Sequence, residues 1–361
     1  MKTSSLKKSI ALSAVVAALA FLPDLHAAVN VFVEGGSASQ SVLYDRATNL
    51  FAGGSFTSTG SGSSTVRRFQ GTSANPLLSG YGTITLDINV ANGAIAGLQA
   101  LVNQSAGSGD TNVLGTPTVP TFVDSATSPD AVGISSVAAN LSAYQTYVVP
   151  VVFVRNTNYP AVNAISNLTS RQAVALETSL NPATFLGGAT TNLVYFVGRN
   201  SQSAVRTEID LNIFNSAYIE TYTNNAAGLP VQDTSPDPGL SSGGTLANTV
   251  LALTNSIGEV AVQNIKTGLG AIAIDGVSYS ANNVINGSYP LWGYENYYFI
   301  TAPNSGAPSS AQQAVLDVFY SSVTNAAFQV SSTFTNLFIP TSSLRVSRSY
   351  DGGPITPLPG Y

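Results

Sequence analysis

Apolar, β-branched runs end repeatedly in glycine and small polar residues, and a stretch with helical spacing follows each one. "VNVFVEGGSAS" (29–39) leads into "SVLYDRATNLFAG" (41–53), and "TNLVYFVGRNSQSAV" (191–205) leads into "EIDLNIFNSAYIETYT" (208–223). "GYGTITLDINV" (80–90) leads into "NGAIAGLQALVNQ" (92–104). Strands that alternate with helices through tight turns predict an open α/β sheet.

Other segments fit this scheme. "STVRRFQGTS", "YVVPVVFVRN", "GLGAIAID" and "ENYYFITAP" read as strands. "LTSRQAVALET" reads as a helix capped by Thr169 or Ser170, and "SAQQAVLDVFYSSV" as a helix near the C-terminus. "GLPVQDTSPDPGLSSGG" (228–244) reads as a flexible loop. Arg67-Arg68 is expected to be a solvated pair on a strand.

The first 28 residues have the form of a secretory signal peptide. Lys2, Lys7 and Lys8 precede the apolar run Ile10–Leu22, and Ala27-Ala28 offers a cleavage site. No Cys follows for a lipid anchor, so a periplasmic or secreted protein is expected. Cleavage removes three of the 13 basic residues and one of the 18 acidic ones, leaving 10 and 17, a net charge of −7. Nucleic-acid binding needs clustered cations, which this chain lacks.

His26 is the only histidine, and it leaves with the signal; the chain has no Cys. A Ser-His-Asp triad, a Cys-His pair and a His-ligated metal site are therefore excluded. No "DxDxDG" loop appears. Paired acids such as Asp124 and Asp130 remain as a catalytic possibility, but nothing arranges a substrate around them. The expectation is a non-enzyme without cofactor or metal.

The turn "VGRNSQSAVRTEID" places Arg199 and Arg206 around Ser201 and Ser203 in a chain with only 9% charged residues. A helix N-terminus offers free N–H groups and about half a positive charge. Several such turns, pooled at the carboxyl ends of strands, bind an anion with few basic residues. Arg199 would supply the formal charge, and Ser203 a hydroxyl. Read singly, Ser203, Ser37 and Ser39 are ordinary caps, and Arg206 pairs with Glu208, Asp210 or another nearby acid.

In their order and wording these segments resemble the phosphate-type periplasmic solute-binding proteins of ABC transporters. "ISNLTSRQAVALETSLNPATFLGG", "VGRNSQSAVR" and "LGAIAIDGVSYSANNVINGSYPLWGYENYYF" carry the likeness most clearly. The resemblance implies a type 2 periplasmic-binding-protein fold: two lobes with open mixed sheets and a ligand cleft between them. Lobe one would be residues 29–148 and 262–361. Lobe two, 149–261, would be inserted between crossings near "YVVPVV" and "SIGEVAV".

The implied site joins four turns. They are Gly36, Ser37, Ala38 and Ser39; Asn92, Gly93 and Ala94; Ser128 and Asp130 in "DSATSPD"; and Arg199, Ser203 and Ala204. Asp130 would accept a hydrogen bond from the protonated anion and so select phosphate over sulfate, with Asp124 as its substitute if Pro129 shifts the loop. Asp130 is equally placed to cap the segment near "AVGISSV". The implied partners are inorganic phosphate or a related oxyanion and the membrane permease of an ABC transporter, with a monomeric protein. The sequence departs from the family in turn two, in Ala204-Val205 and at Pro129. A secreted structural or interaction protein that keeps the fold with an eroded site is the alternative.

Overall fold

The computed structural model describes residues 28–60, 65–215, 219–302 and 306–361. The expected signal peptide, apart from Ala28, lies outside the described residues.

One mixed sheet organises the chain. Across it run strands Phe56–Thr59, Val66–Gly71, Ile84–Asn89, Val29–Gly35, Phe122–Ser125, Trp292–Ile300, Leu141–Asn156, Ser256–Ala261, Leu193–Val197 and Asn181–Pro182. Val29–Gly35 is parallel to both Ile84–Asn89 and Phe122–Ser125. Their side chains are buried almost throughout, as expected for parallel strands covered on both faces.

Leu141–Asn156 carries the sheet from one half to the other. Its first part, Leu141–Pro150, pairs antiparallel with Trp292–Ile300, and its second part pairs with Ser256–Ala261 from Val151 onward. The change of partner falls at Pro150, which has no N–H to give to a ladder. The buried run "VVPVVFV" is therefore one strand shared by two bodies.

The second body extends further along the chain than expected. "SIGEVAV" is not the return crossing: Ser256–Ala261 lies inside this body, parallel to Leu193–Val197. Leu269–Ile274, expected in the first body, pairs with Phe153–Asn156 and with Asn167–Leu168. The chain rejoins the first ladder at Trp292, opposite Pro150.

Local chemistry explains most helix starts. Ser170–Thr178 opens on a capping box, in which the Thr169 hydroxyl accepts from the Gln172 N–H and Gln172 reaches back. Ser309 and Gln312 do the same for Ser310–Val323. Ala204–Ile213 is shorter than the sequence suggested. It ends at Phe214, which adopts φ +62°, and Tyr222–Asn224 forms a small ladder with Pro230–Gln232. The segment 228–244, expected as loop, runs straight into an unforeseen helix, Gly243–Ala252.

Arg67 and Arg68 are not a solvated pair. Arg68 sits opposite Asp87 in the ladder and binds it through two hydrogen bonds of 2.7 Å. Arg67 lies 4.8 Å from the Phe69 ring centroid and 5.4 Å from that of Tyr44.

Candidate functional site

The first turn follows strand Val29–Gly35. The hydroxyl of Ser37 accepts from Gly243 N–H at 3.0 Å, and its carbonyl accepts from Gln263 Nε2 at 2.6 Å. Both partners belong to the second body. Ser39 occupies the cap position of helix Gln40–Leu50, yet its hydroxyl makes no cap bond. It donates instead to the Asp124 carboxylate and lies 3.1 Å from the Gly36 carbonyl. Gly35 permits this approach, because a Cβ there would stand 3.1 Å from Asp124 Cβ. Ala38 is buried behind the turn.

The second turn opens helix Ala94–Asn103. Gly93 adopts φ +95°, and a Cβ on it would strike the Gln202 carbonyl. That carbonyl accepts from Ile95 N–H at 3.3 Å. The helix N-terminus expected to face an anion therefore faces the backbone of the arginine turn. Asn92 donates to Asp110 at 2.6 Å and anchors the loop after the helix. Asn92, Gln99, Asn103, Asp110 and Gln202 line an open groove of about 340 Å³ beside this contact.

The third turn divides its residues. Asp124 is fully buried beneath Ser39, and Thr127 donates to the Ala204 carbonyl at 3.2 Å. The N–H of Ser128 donates to Asp351 at 2.6 Å. Asp130 does not point into the site. Pro129 starts a 3-10 turn, Asp130–Val132, that carries Asp130 to the surface. There it accepts from Ser136 N–H at 3.0 Å and from the Ser136 hydroxyl at 2.7 Å. It closes a local loop, and Asp124 is the carboxylate buried beneath turn one.

The fourth turn contains the buried cation. Arg199 is 2% exposed. Its Nε donates to the Leu240 carbonyl at 2.8 Å, and its Nη2 to the Ser241 carbonyl at 2.6 Å. Its own N–H donates to Glu259 at 2.7 Å. Burial lowers its pKa to about 10 against the opposing pull of Glu259, so it stays charged at neutral pH. Ser203 is a cap, and accepts from Arg206 N–H at 3.3 Å. Arg206 pairs with Asp210 at 3.3 Å and also donates to the Arg199 carbonyl. Ala204 is the first residue of the capped helix and is nearly buried.

Contacts between the turns bring most of the expected residues to one boundary. Turn one meets the second body at Gly243, which lies beside Arg199 Nη1. Turn two meets turn four at Gln202, and turn three meets it at Ala204. The start of helix Gly243–Ala252 is a fifth turn that the sequence reading assigned to a loop. Its signal was "SSGG", two small hydroxyl residues before glycines, where Ser242 caps the helix.

Buried acids underlie the boundary. Burial pushes Asp124 up to about 7, with bonds from Ser39 and Glu295 opposing the rise. Glu295 is raised well above the usual carboxylate range by burial and by Asp124 beside it. A bulge between Glu295 and Asn296 breaks the register of their strand at this point. Glu259 rises to about 7 through burial. Among the described residues, no group of three or more His, Cys, Asp or Glu is placed to hold a metal ion.

The chain matches no protein-family profile and no curated protein by sequence. Solved structures do match it. A phosphate ABC transporter substrate-binding protein from Clostridium perfringens, with bound phosphate, superposes with a TM-score of 0.58 and 14% identity, covering 86% of this chain and 99% of that one. The chain has the fold of the phosphate-type substrate-binding proteins. A high-affinity periplasmic phosphate-binding protein, PfluDING, gives 0.54 at 13% identity, with 86% and 90% covered. A phosphate transport receptor from Vibrio cholerae gives 0.52 at 13%, with 83% and 97% covered. The contacts among the five turns lie where the two bodies meet.

Proposed function

We propose that this protein is an exported solute-binding protein that captures phosphate or a similar small oxyanion between its lobes and delivers it to the permease of an ABC transporter. The observation that carries this reading is the meeting of turns one to four and the Gly243 helix start beside the buried Arg199. Pooled N–H groups around a guanidinium suit an anion, and charge-assisted hydrogen bonds contribute roughly 1.5–3 kcal/mol each. The net negative charge is compatible with this, since charges farther than about 8–10 Å are screened at physiological salt. Lobe one would comprise 29 to about 150 and 292 to 361, and lobe two the residues between. The mature protein would act as a monomer after loss of its signal peptide.

A second reading has its own support. The Leu240 and Ser241 carbonyls occupy two donors of Arg199, and the Gln202 carbonyl occupies the Ile95 N–H. These contacts fit a secreted structural or interaction protein whose cleft has closed on itself. Titration calorimetry with phosphate, sulfate, molybdate and phosphonates separates the two. Micromolar or tighter binding of one anion supports capture. No binding, together with no phosphate released from the denatured protein, supports the closed cleft.

A further inference from the structure

The last residues of the chain form a small hairpin, in which Val346–Ser347 pairs with Thr356–Pro357. The hairpin touches three parts of the molecule that a hinge motion would move apart. At the crossing, Arg348 donates to the Trp292 carbonyl at 2.9 Å and to the Pro290 carbonyl, with its guanidinium 4.2 Å from the Trp292 ring centroid. On the first lobe, the Asp351 carboxylate accepts from Ser128 N–H at 2.6 Å. On the second lobe, Gly352 lies against helix Ala204–Ile213 so closely that a Cβ would stand 2.6 Å from Leu211 Cβ. Gly352 also needs its φ of +68°, which glycine adopts freely.

We infer that this hairpin is a strap across the hinge, and that the lobes separate only when it lets go of one side. Arg348 fixes the base of the strap at the crossing. The base is also held to residues before the crossing, where Arg345 N–H donates to the Ile285 carbonyl at 2.9 Å and Val346 lies against Gly287. Rotation about the crossing therefore stretches the Asp351–Ser128 bond unless the hairpin comes away from Ile285, Gly287 and Leu211 together. Carboxylate-to-N–H bonds are among the stronger hydrogen bonds, so the first-lobe attachment resists opening most. The inference does not depend on which solute the cleft takes.

Two amides report lobe separation directly. Ile95 N–H donates to Gln202, and Gly243 N–H donates to Ser37, each across the boundary. Amide hydrogen exchange on the full mature chain is the test, with the ladders of Ile84–Asn89 and Ser256–Ala261 as references inside each lobe. In Asp351→Ala, the Ile95 and Gly243 amides should exchange about tenfold faster or more, while the reference ladders keep their rates. Asp351→Asn retains an acceptor oxygen and should restore most of the protection. Small-angle scattering should show a larger radius of gyration for Asp351→Ala alone. Unchanged exchange at Ile95 and Gly243 would overturn the strap. So would equal acceleration everywhere, which would mark Asp351 as a contributor to global stability only.

Discussion

The Ser39 hydroxyl donates to the Asp124 carboxylate and leaves the helix that begins beside it without a side-chain cap. Both residues are fully buried. In Ser39→Ala, this oxygen of Asp124 loses its donor, and a buried polar atom left unpaired costs about 1–3 kcal/mol. The bond to Ser39 favours the ionised acid, whose pKa lies at about 7. The loss should therefore be larger at pH 8 than at pH 5. Urea denaturation of the variant and the parent at both pH values measures it; equal losses would mean that Asp124 does not depend on this hydroxyl.

Arg199→Ala should cost stability as well as any anion binding. It strands the Ser241 carbonyl, leaves the Leu240 carbonyl with the Asn200 N–H alone, and removes one of the two arginine charges that act on Glu259. Breaking a buried charged arrangement of this kind costs roughly 3–5 kcal/mol. Arg206→Ala removes an i,i+4 pair with Asp210 and one 3.3 Å bond to the Arg199 carbonyl, and should cost less, about 0.5–1.5 kcal/mol. Denaturant midpoints of the two variants give the comparison. Similar midpoints would show that the Arg199 bonds contribute little.

The contrast between these two arginines also marks what the sequence could reveal. Features built within a few residues were legible. The cap at Thr169, one of two residues the sequence offers, the Ser203 cap, and the pairing of Arg206 with Asp210, one of several acids it offers, each join residues three or four apart. The strand–turn–helix alternation gave the sheet, because burial on both faces requires apolar β-branched runs. The fate of Arg199 was not legible, since its acceptors lie 41 and 42 residues away and tertiary packing brings them to it. The assignment of Leu269–Ile274 to the second lobe depends likewise on a partner more than 100 residues distant. Asp130 misled for the opposite reason: Pro129 redirects the loop within one residue.

Gly93→Ala should hold the lobes apart. The position needs φ +95°, and the added methyl would meet the Gln202 carbonyl of the other lobe. The backbone strain alone costs about 1 kcal/mol or more. Scattering should give a larger radius of gyration than the parent protein. A compact variant of normal dimensions would show that the Gln202 loop yields without disturbing closure.

Stability should fall as pH rises. Burial raises Asp210 to about 6, Asp124 and Glu259 to about 7, and Glu34 to about 9. In the unfolded chain these acids ionise near pH 4, so between those values the folded state binds more protons than the unfolded one. The sign of the linkage is then negative: stability is fully present below about pH 4 for these groups and is lost as each folded pKa is passed. Thermal midpoints should drop from pH 5 through pH 9 by several degrees, most steeply up to about pH 7. A midpoint that rises over this range would mean that the buried acids are ionised in the folded protein.

Selectivity between phosphate and sulfate should not depend on Asp130. A buried carboxylate accepts a hydrogen bond from the proton that phosphate keeps near neutral pH and repels sulfate, which has none. Asp130 is exposed and already accepts both the N–H and the hydroxyl of Ser136. Asp124 lies buried beneath turn one, but its own pKa of about 7 and its bond from Ser39 limit what it can accept. Asp130→Asn should therefore leave the ratio of phosphate to sulfate affinity unchanged and cost little stability, since an amide oxygen can still accept from Ser136. Asp124→Asn should narrow the ratio if the anion reaches that carboxylate. Competition titrations on the parent and both variants decide between them. A ratio that shifts in Asp130→Asn and holds in Asp124→Asn would return the selecting role to the surface residue and refute the placement argued from the 3-10 turn.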